Sequence, residues 1–235
     1  VITFTFILTR MIPGNPALTM LGPQAPKESV EKLEEELGLN KSKGEQYVIY
    51  MKSIMKGDFG RSYSYNKPVV DLILERVPNT LIITLTSLFI ALILGMIVGI
   101  VSAVHQYSIL DYIFMVLALI GVSMPIFWMG LMLVLVFSVN LGWLPAMGMG
   151  GAAKGAWDVI SHMILPCFCL STIPMATFAR ITRSSMLDVV NSDSVKALRA
   201  RGLKGGVVIW KRALRNALPP IVTVLGLQLA SAFTG

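Results

Sequence analysis

A chain of 235 residues that is 54% hydrophobic and only 14% charged, with a mean hydropathy of +0.70, is excluded from the soluble globular class. Its formal net charge of +7 is not spread along the chain: nine Lys/Arg against two Asp in residues 180–215 account for all of it. Cys167 and Cys169, two positions apart in one apolar run, exclude a disulfide framework, and no His or carboxylate beside them completes a metal site, so they read as buried inert thiols.

Residues 1–8 are apolar, too short to span a membrane, and lack the basic region and small-residue cleavage site of a signal peptide. They read as the outer half of a first span. With Gly235 falling just past another hydrophobic run, the expectation is a fragment, truncated within the first span and before the last. Residues 10–79 are polar, with ten Lys/Arg against nine Asp/Glu. Positive-inside bias weakens in loops beyond about 60 residues, so this one is expected outside. Within it, Pro13-Gly14-Asn15-Pro16 is a turn. Pro26 opens a helix with Val30, Leu33 and Leu37 on one stripe, closed by Gly38. A second helix is expected over 45–56, and a third over 69–77, broken by Pro78.

Residues 81–104 form an uncharged span in which Gly95 and Gly99 make a small-xxx-small pair for close helix approach. After a polar connection at 105–111, a long span covers 112–141. Pro125 removes a backbone hydrogen bond there and is expected to kink the helix. Ser123, Pro125, Phe127 and Trp128 are therefore candidates for a pore-lining kink, with a plain packing kink as the alternative. Residues 142–161 are an outside loop, Gly-rich, with Trp143 and Trp157 suited to the membrane interface. A span at 160–179 carries Pro166 and Pro174, and 217–233 is the next span.

Between those two lies the basic loop 180–215, which Lys and Arg hold on the cytoplasmic side. Residues 193–201 are good helix formers; Asn191, Ser192 or Asp193 is placed to cap their start, and Gly202 to stop them. Val195, Leu198 and the stem of Arg199 share one face. A second amphipathic piece over 207–218 is expected to end at Pro219-Pro220.

What is missing also narrows the function. No charged residue lies at the centre of a span, which argues against a secondary transporter or proton-coupled pump. His162, near the outer end of its span, reads as an interface residue. No Gly-x-x-x-x-Gly-Lys-Ser/Thr, His-Glu-x-x-His or Gly-x-Ser-x-Gly sequence occurs, so the chain has no such phosphate loop and no such catalytic motif. The 14 Met residues read as core or lipid-facing side chains rather than copper ligands. The basic loop lacks stacking aromatics apart from Trp210, so no nucleic-acid partner is expected.

The run Lys196-Ala197-Leu198-Arg199-Ala200-Arg201-Gly202-Leu203, followed by Arg212-Ala213-Leu214-Arg215-Asn216-Ala217-Leu218-Pro219, resembles the coupling loop of ABC-importer permeases. It is most similar to the branch that imports dipeptides, oligopeptides and nickel. The general importer motif has Glu and Ala where this chain has Lys196 and Leu198, but Ala197 and Gly202 keep their places. Arg10-Met11-Ile12-Pro13-Gly14-Asn15-Pro16, Glu36-Leu37-Gly38-Leu39, Gly57-Asp58-Phe59-Gly60-Arg61-Ser62, Arg76-Val77-Pro78-Asn79-Thr80 and Ser123-Met124-Pro125-Ile126-Phe127-Trp128 are similar to the same branch, in its order and spacing.

The resemblance implies an all-α polytopic membrane protein, one transmembrane permease domain with the helical ABC-importer fold, in a bacterial or archaeal inner membrane. It implies a path formed with a second homologous permease, two cytoplasmic ATPase subunits that carry ATP and Mg, an external solute-binding protein, and lipid around the spans. The chain itself would hold no cofactor or metal and would not be an enzyme. Cargo would be a di- or oligopeptide, with nickel, a nickel chelate or glutathione as alternatives. A channel or a non-transport scaffold is the competing class. Asp193, Val195, Lys196, Ala197, Leu198, Arg199, Arg201, Gly202 and Leu203 are the expected coupling residues, with Val195 and Leu198 filling an apolar cleft of the ATPase and Lys196, Arg199 and Arg201 meeting acidic rims.

Overall fold

A computed structural model describes the chain except residues 12, 13, 63, 66, 152–154 and 235, and except the side chains of residues 10, 20, 36, 199, 233 and 234. The Ile12-Pro13 part of the expected turn thus lies outside the described residues. The described residues are helical, with no strand beyond one isolated antiparallel bridge between Arg61 and Pro68. They divide into two compact units, Val1–Pro78 and Asn79–Gly235.

In the first unit, α1 (Ile2–Met11), α2 (Pro16–Leu21), α3 (Lys27–Glu36) and α4 (Lys43–Met55) are all short. Isolated helices of this length are marginal, so their ends and contacts decide whether they form. Asn15 caps α2 by accepting from Ala17 N at 3.0 Å, and its amide reaches across to the Glu34 carboxylate on α3. Ser42 and Glu45 form a complete capping box at the start of α4, a Ser-x-x-Glu signature legible in the sequence. It moves the start of that helix two residues ahead of the expected 45. Phe6 is buried, with Tyr47 and Tyr50 of α4 at ring-centroid distances of 5.2 and 5.4 Å. On α3 the expected stripe is only partly inward. Val30 is buried and Leu33 half-buried, but Leu37 falls one residue beyond the helix end and is 39% exposed.

Helix α5 (Val69–Val104) corrects the expected break at Pro78: it runs unbroken for 36 residues with Pro78 inside it. The ring deprives the carbonyl four residues back of its partner. That residue, Leu74, is 62% exposed, so solvent can serve the freed oxygen. The same happens in α10 (Leu214–Thr234), which runs through Pro219 and Pro220. There the freed carbonyls belong to Arg215 and Asn216, both exposed. In each place proline removes a hydrogen bond whose loss is cheap, and the helix continues.

The second unit is centred on α8 (Ala156–Val190), which extends 11 residues past the expected end at 179, through Arg180 and Arg183. At 1.5 Å per residue, α5 and α8 are each over about 50 Å long, more than the ~30 Å of hydrocarbon, so both project beyond it. Both are long and apolar enough to cross a membrane. Leu88 and Ala91 of α5, Phe178 of α8 and Ile221 of α10 form one buried cluster, and Ile100, Ala103, Met186, Ala213 and Ala217 form a second.

Gly95 and Gly99 let α5 lie directly on α8. A Cβ on Gly99 would stand 2.6 Å from Ala179 O and 2.6 Å from Thr182 Cβ. Such small-residue contacts hold membrane helices by dispersion and close backbone approach, because lipid offers no hydrophobic drive between them. Cys167 and Cys169 are buried free thiols in α8; Cys169 Sγ lies 3.3 Å from Ile126 O.

The expected long span over 112–141 is two helices. α6 (Ile109–Ser123) and α7 (Ile126–Leu133), continued by a π-helical segment Val134–Asn140, meet at a bend of 103°. This exceeds a kink. Pro125 is the N-cap of α7 and Met124 is extended (ψ 132°), the conformation a residue before proline prefers.

Candidate functional site

Three places in the second unit bring together side chains that sequence reading singled out or missed. The first is the basic loop. Its short helix α9 (Asp193–Ala200) follows α8 after only two residues. Ser192 provides the hinge: its carbonyl accepts from Val195 N (3.1 Å) and Lys196 N (3.2 Å), while its hydroxyl donates to Val189 O of α8 at 2.6 Å. The far end closes as a Schellman motif. Gly202 takes φ +78°, and Leu203 N donates to Leu198 O at 3.4 Å. With nothing near a Cβ at Gly202, the positive φ rather than space demands glycine there.

Val195 is 1% exposed, covered by the chain itself where α9 lies on the end of α8 and on a second π-helical segment, Val207–Ala213. This corrects its expected role. A side chain already buried within its own loop anchors α9 to the body and is not free to fill a partner's cleft. Leu198 and Leu203 are half-buried, and Ala197, Lys196 and Arg201 are exposed. Lys196 pairs with Asp193 at 2.9 Å, a solvated pair worth little. The Arg199 side chain lies outside the described residues. α9 thus presents Leu198 beside a cationic surface, on a mount fixed by Val195 and Ser192.

The second place is the break between α6 and α7. Ser123, Pro125, Phe127 and Trp128, singled out from sequence, line one open cavity of about 530 Å³ together with Leu119, Ile120 and Met124. Phe127 is 70% exposed on its wall. Ser123 donates to Leu119 O at 2.8 Å, occupying a carbonyl of the last turn of α6. The lining is mostly apolar with one hydroxyl, suited to side chains of varied type rather than to a metal or a fixed charge.

Sequence reading missed the third. Asp111, set down as the end of a polar connection, is 2% exposed, and Arg183 of α8 grips it with two bonds, Nε to Oδ1 at 2.7 Å and a terminal nitrogen to Oδ2 at 2.6 Å. Tyr107 N also donates to the carboxylate, at 3.1 Å. Two buried hydroxyls stand nearby in sequence and fold. Ser102 of α5 faces the carboxylate without reaching hydrogen-bond geometry, and Thr182 has no partner. A bidentate Arg–carboxylate pair is directional as well as strong. A signal existed: Arg183 falls in phase with buried Ala176, Ala179 and Met186 at helical spacing, so it had to lie on the inward face of α8.

His162, expected at an interface, is half-buried. Its Nδ1–H donates to Asp158 O at 2.6 Å, and Gly151 N donates to the Asp158 carboxylate at 2.7 Å. Trp143 and Trp157 are both exposed. Among the described residues no group of three or more His, Cys, Asp or Glu is placed to hold a metal ion.

Against known proteins, residues 92–235 match the family described as binding-protein-dependent transport system inner membrane component, and residues 1–84 match the N-terminal part of such membrane components. A dipeptide transport system permease protein of Alkalihalophilus pseudofirmus is 44% identical over 98% of this chain and 75% of its own length. An oligopeptide transport system permease protein of Bacillus subtilis is 40% identical, over 98% and 74%. A glutathione transport system permease protein of Escherichia coli is 38% identical, over 98% and 72%.

Proposed function

The chain belongs to the family of binding-protein-dependent transport system inner membrane components, and from that premise we propose that its cargo is a di- or oligopeptide, carried along a path formed with a second permease while separate subunits hydrolyse ATP. It is a multi-pass inner-membrane permease of an ABC importer. A channel or scaffold is set aside by the family match. What carries the cargo reading is the similarity along nearly the whole chain to permeases named for dipeptides and oligopeptides. The glutathione relative fits the same chemistry, since glutathione is itself a tripeptide.

In this reading the basic loop lies in the cytoplasm, because Lys and Arg resist translocation, and residues 10–79 lie outside, toward a solute-binding protein. α9 is the coupling helix. Leu198 seats in an apolar cleft of one of two ATPase subunits, and Lys196 and Arg201 meet acidic groups at the rim and fix the orientation. ATP and Mg stay on those subunits. Ser123, Pro125, Phe127 and Trp128 line part of the path. Open, apolar and uncharged, their cavity supports passage of peptides of many sequences, with selection left to the external protein.

The test is uptake of a cargo panel into vesicles carrying the complete complex: a dipeptide, a longer peptide, glutathione and a nickel chelate, each with its binding protein. ATP-dependent uptake of the peptides is the expected result. Uptake of the nickel chelate alone would move the chain to the metal side of the branch. Accumulation without ATP would overturn the importer assignment.

A further inference from the structure

Resting on the reading of α9 as the coupling helix, we propose that Asp111 and Arg183 are positioning residues for transport: they form the joint through which movement at α9 reaches the helix break lining the cavity. α6 lies along α8, and its burial against that helix is concentrated near its ends. Of its described residues only Asp111 and Gly121 are buried, one near each end. Gly121 lies against Thr172 of α8, where a Cβ would stand 2.7 Å from Thr172 Cγ2. At the other end Asp111 meets Arg183. The apolar cluster that binds the neighbouring ends of α5, α8 and α10 contains Ile100, Ala103, Met186, Ala213 and Ala217, and nothing from α6. α6 is a helix of 15 residues, about 22 Å long. Its loop end is held by the ion pair, and its other end is the Ser123–Pro125 break.

On the α8 side the same joint sits close to α9. Arg183 lies seven residues before the last residue of α8, Val190, within one unbroken helix, and Ser192 and Val195 then fix α9 to that helix end. A displacement of α9 therefore moves Arg183. The two parallel bonds to Asp111 carry both position and orientation to α6, as a single bond or an apolar contact would not.

The experiment uses the full complex in vesicles. Asp111→Asn and Arg183→Gln are each expected to retain their ATPase subunits and to hydrolyse ATP, while cargo transported per ATP falls by about tenfold. Arg183→Lys, which keeps the charge but not the fork, should fall between. A pair that merely stabilised the fold would lower the amount of complex and leave cargo per ATP unchanged. A second readout follows geometry directly. Spin labels at positions 109 and 200, in a background lacking Cys167 and Cys169, should keep one separation with and without ATP in the otherwise native protein. In Asp111→Asn that separation should change with ATP. Normal cargo per ATP in Asp111→Asn overturns the proposal, and so does failure of all three variants to assemble, which would make the pair a folding requirement only. Failure of the α9 reading shows elsewhere: Leu198→Asp would keep normal cargo-stimulated hydrolysis.

Discussion

Among the described apolar residues of the unit Val1–Pro78, Phe6, Ala17 and Val30 are the buried ones, whereas the unit Asn79–Gly235 contains two continuous apolar clusters and glycines laid against backbone. The first unit is held largely by polar ends: the Asn15 cap, its amide to Glu34, the Ser42–Glu45 box, and the Gln46 amide donating to Leu39 O and Lys41 O at 3.0 and 2.8 Å. The second is held by shape, with the buried Asp111–Arg183 pair as a polar fixture. The difference follows from helix length and composition. Short helices must satisfy their own termini and have little core to offset chain entropy. Long helices in lipid satisfy their backbone internally and adhere where small residues let them touch.

That contrast breaks first at Gly99. Gly99→Val would drive a side chain into Ala179 O and Thr182 Cβ, both at 2.6 Å from the first added carbon. Because one of those atoms is backbone, α5 and α8 must separate, at the upper end of overpacking costs, about 3 kcal/mol. The expected outcome is a large fall in thermal stability of the purified protein. A stable Gly99→Val protein would mean that shape does not hold this unit together.

Leu198→Asp comes next, and it separates fold from coupling. Leu198 is half-buried on a short helix between two long ones, so insertion and packing should survive. A carboxylate on a docking surface loses apolar contact and must shed water, at about 2 kcal/mol or more. Cargo-stimulated ATP hydrolysis should fall by more than about tenfold, with the amount of membrane-inserted protein unchanged. Arg201→Ala should do less, since a solvated rim cation acts on association and salt dependence more than on the bound contact.

How much of this was legible in the sequence differs between the units for the same physical reason. In the first, turn and cap residues announce helix ends, and the starts at Pro16 and Lys27 follow from Asn15 and Pro26. In the second, hydropathy finds the apolar helices and Gly95/Gly99 locates the contact face. Proline misled in both directions. Pro78, Pro219 and Pro220 were expected to end helices and do not, because the carbonyls they orphan lie at exposed residues. Pro125 was expected to kink a helix and instead separates two, because Met124 takes the extended conformation. Asp111–Arg183 escaped because its halves are 72 residues apart and each looked like part of a solvated loop. Val195 was assigned to a partner because an apolar stripe on a short helix does not say whose surface covers it.

Ser42→Ala probes the first unit with a smaller effect. It deletes both side-chain bonds of the cap at α4, the one from Glu45 N at 3.3 Å and the one to Glu45 Oε2 at 2.9 Å. Loss of such a cap costs about 1 kcal/mol. Faster hydrogen exchange confined to the first turns of α4 is expected. An unchanged rate there would show that contacts such as Phe6–Tyr47, not the cap, hold the helix.

The smallest effect is a pH dependence belonging to one unit only. The Glu45 carboxylate accepts from the Ser42 hydroxyl and from Ser42 N at 3.1 Å, and these two bonds, the hydroxyl first, hold its pKa below the ordinary glutamate value. Both bonds favour the ionised form, so the folded helix binds a proton less readily than the unfolded chain. The stabilisation is then fully present above the unfolded value, about 4.3, and is lost as pH falls through the lower folded value. The helix N-terminus acts in the same direction, since its partial positive charge favours a carboxylate in the first turn. Protection factors for amides in the first turns of α4 should therefore hold steady from neutral pH to about 5 and decline below that. Glu45→Gln keeps an acceptor oxygen but cannot titrate. It should begin lower and stay flat through the same window. The Gly95–Gly99 contact with α8 places no titratable side chain at the glycines, so its protection should not follow this curve. If wild type and Glu45→Gln decline together, the acid response arises elsewhere in the first unit, and the cap is a geometric feature whose charge contributes nothing.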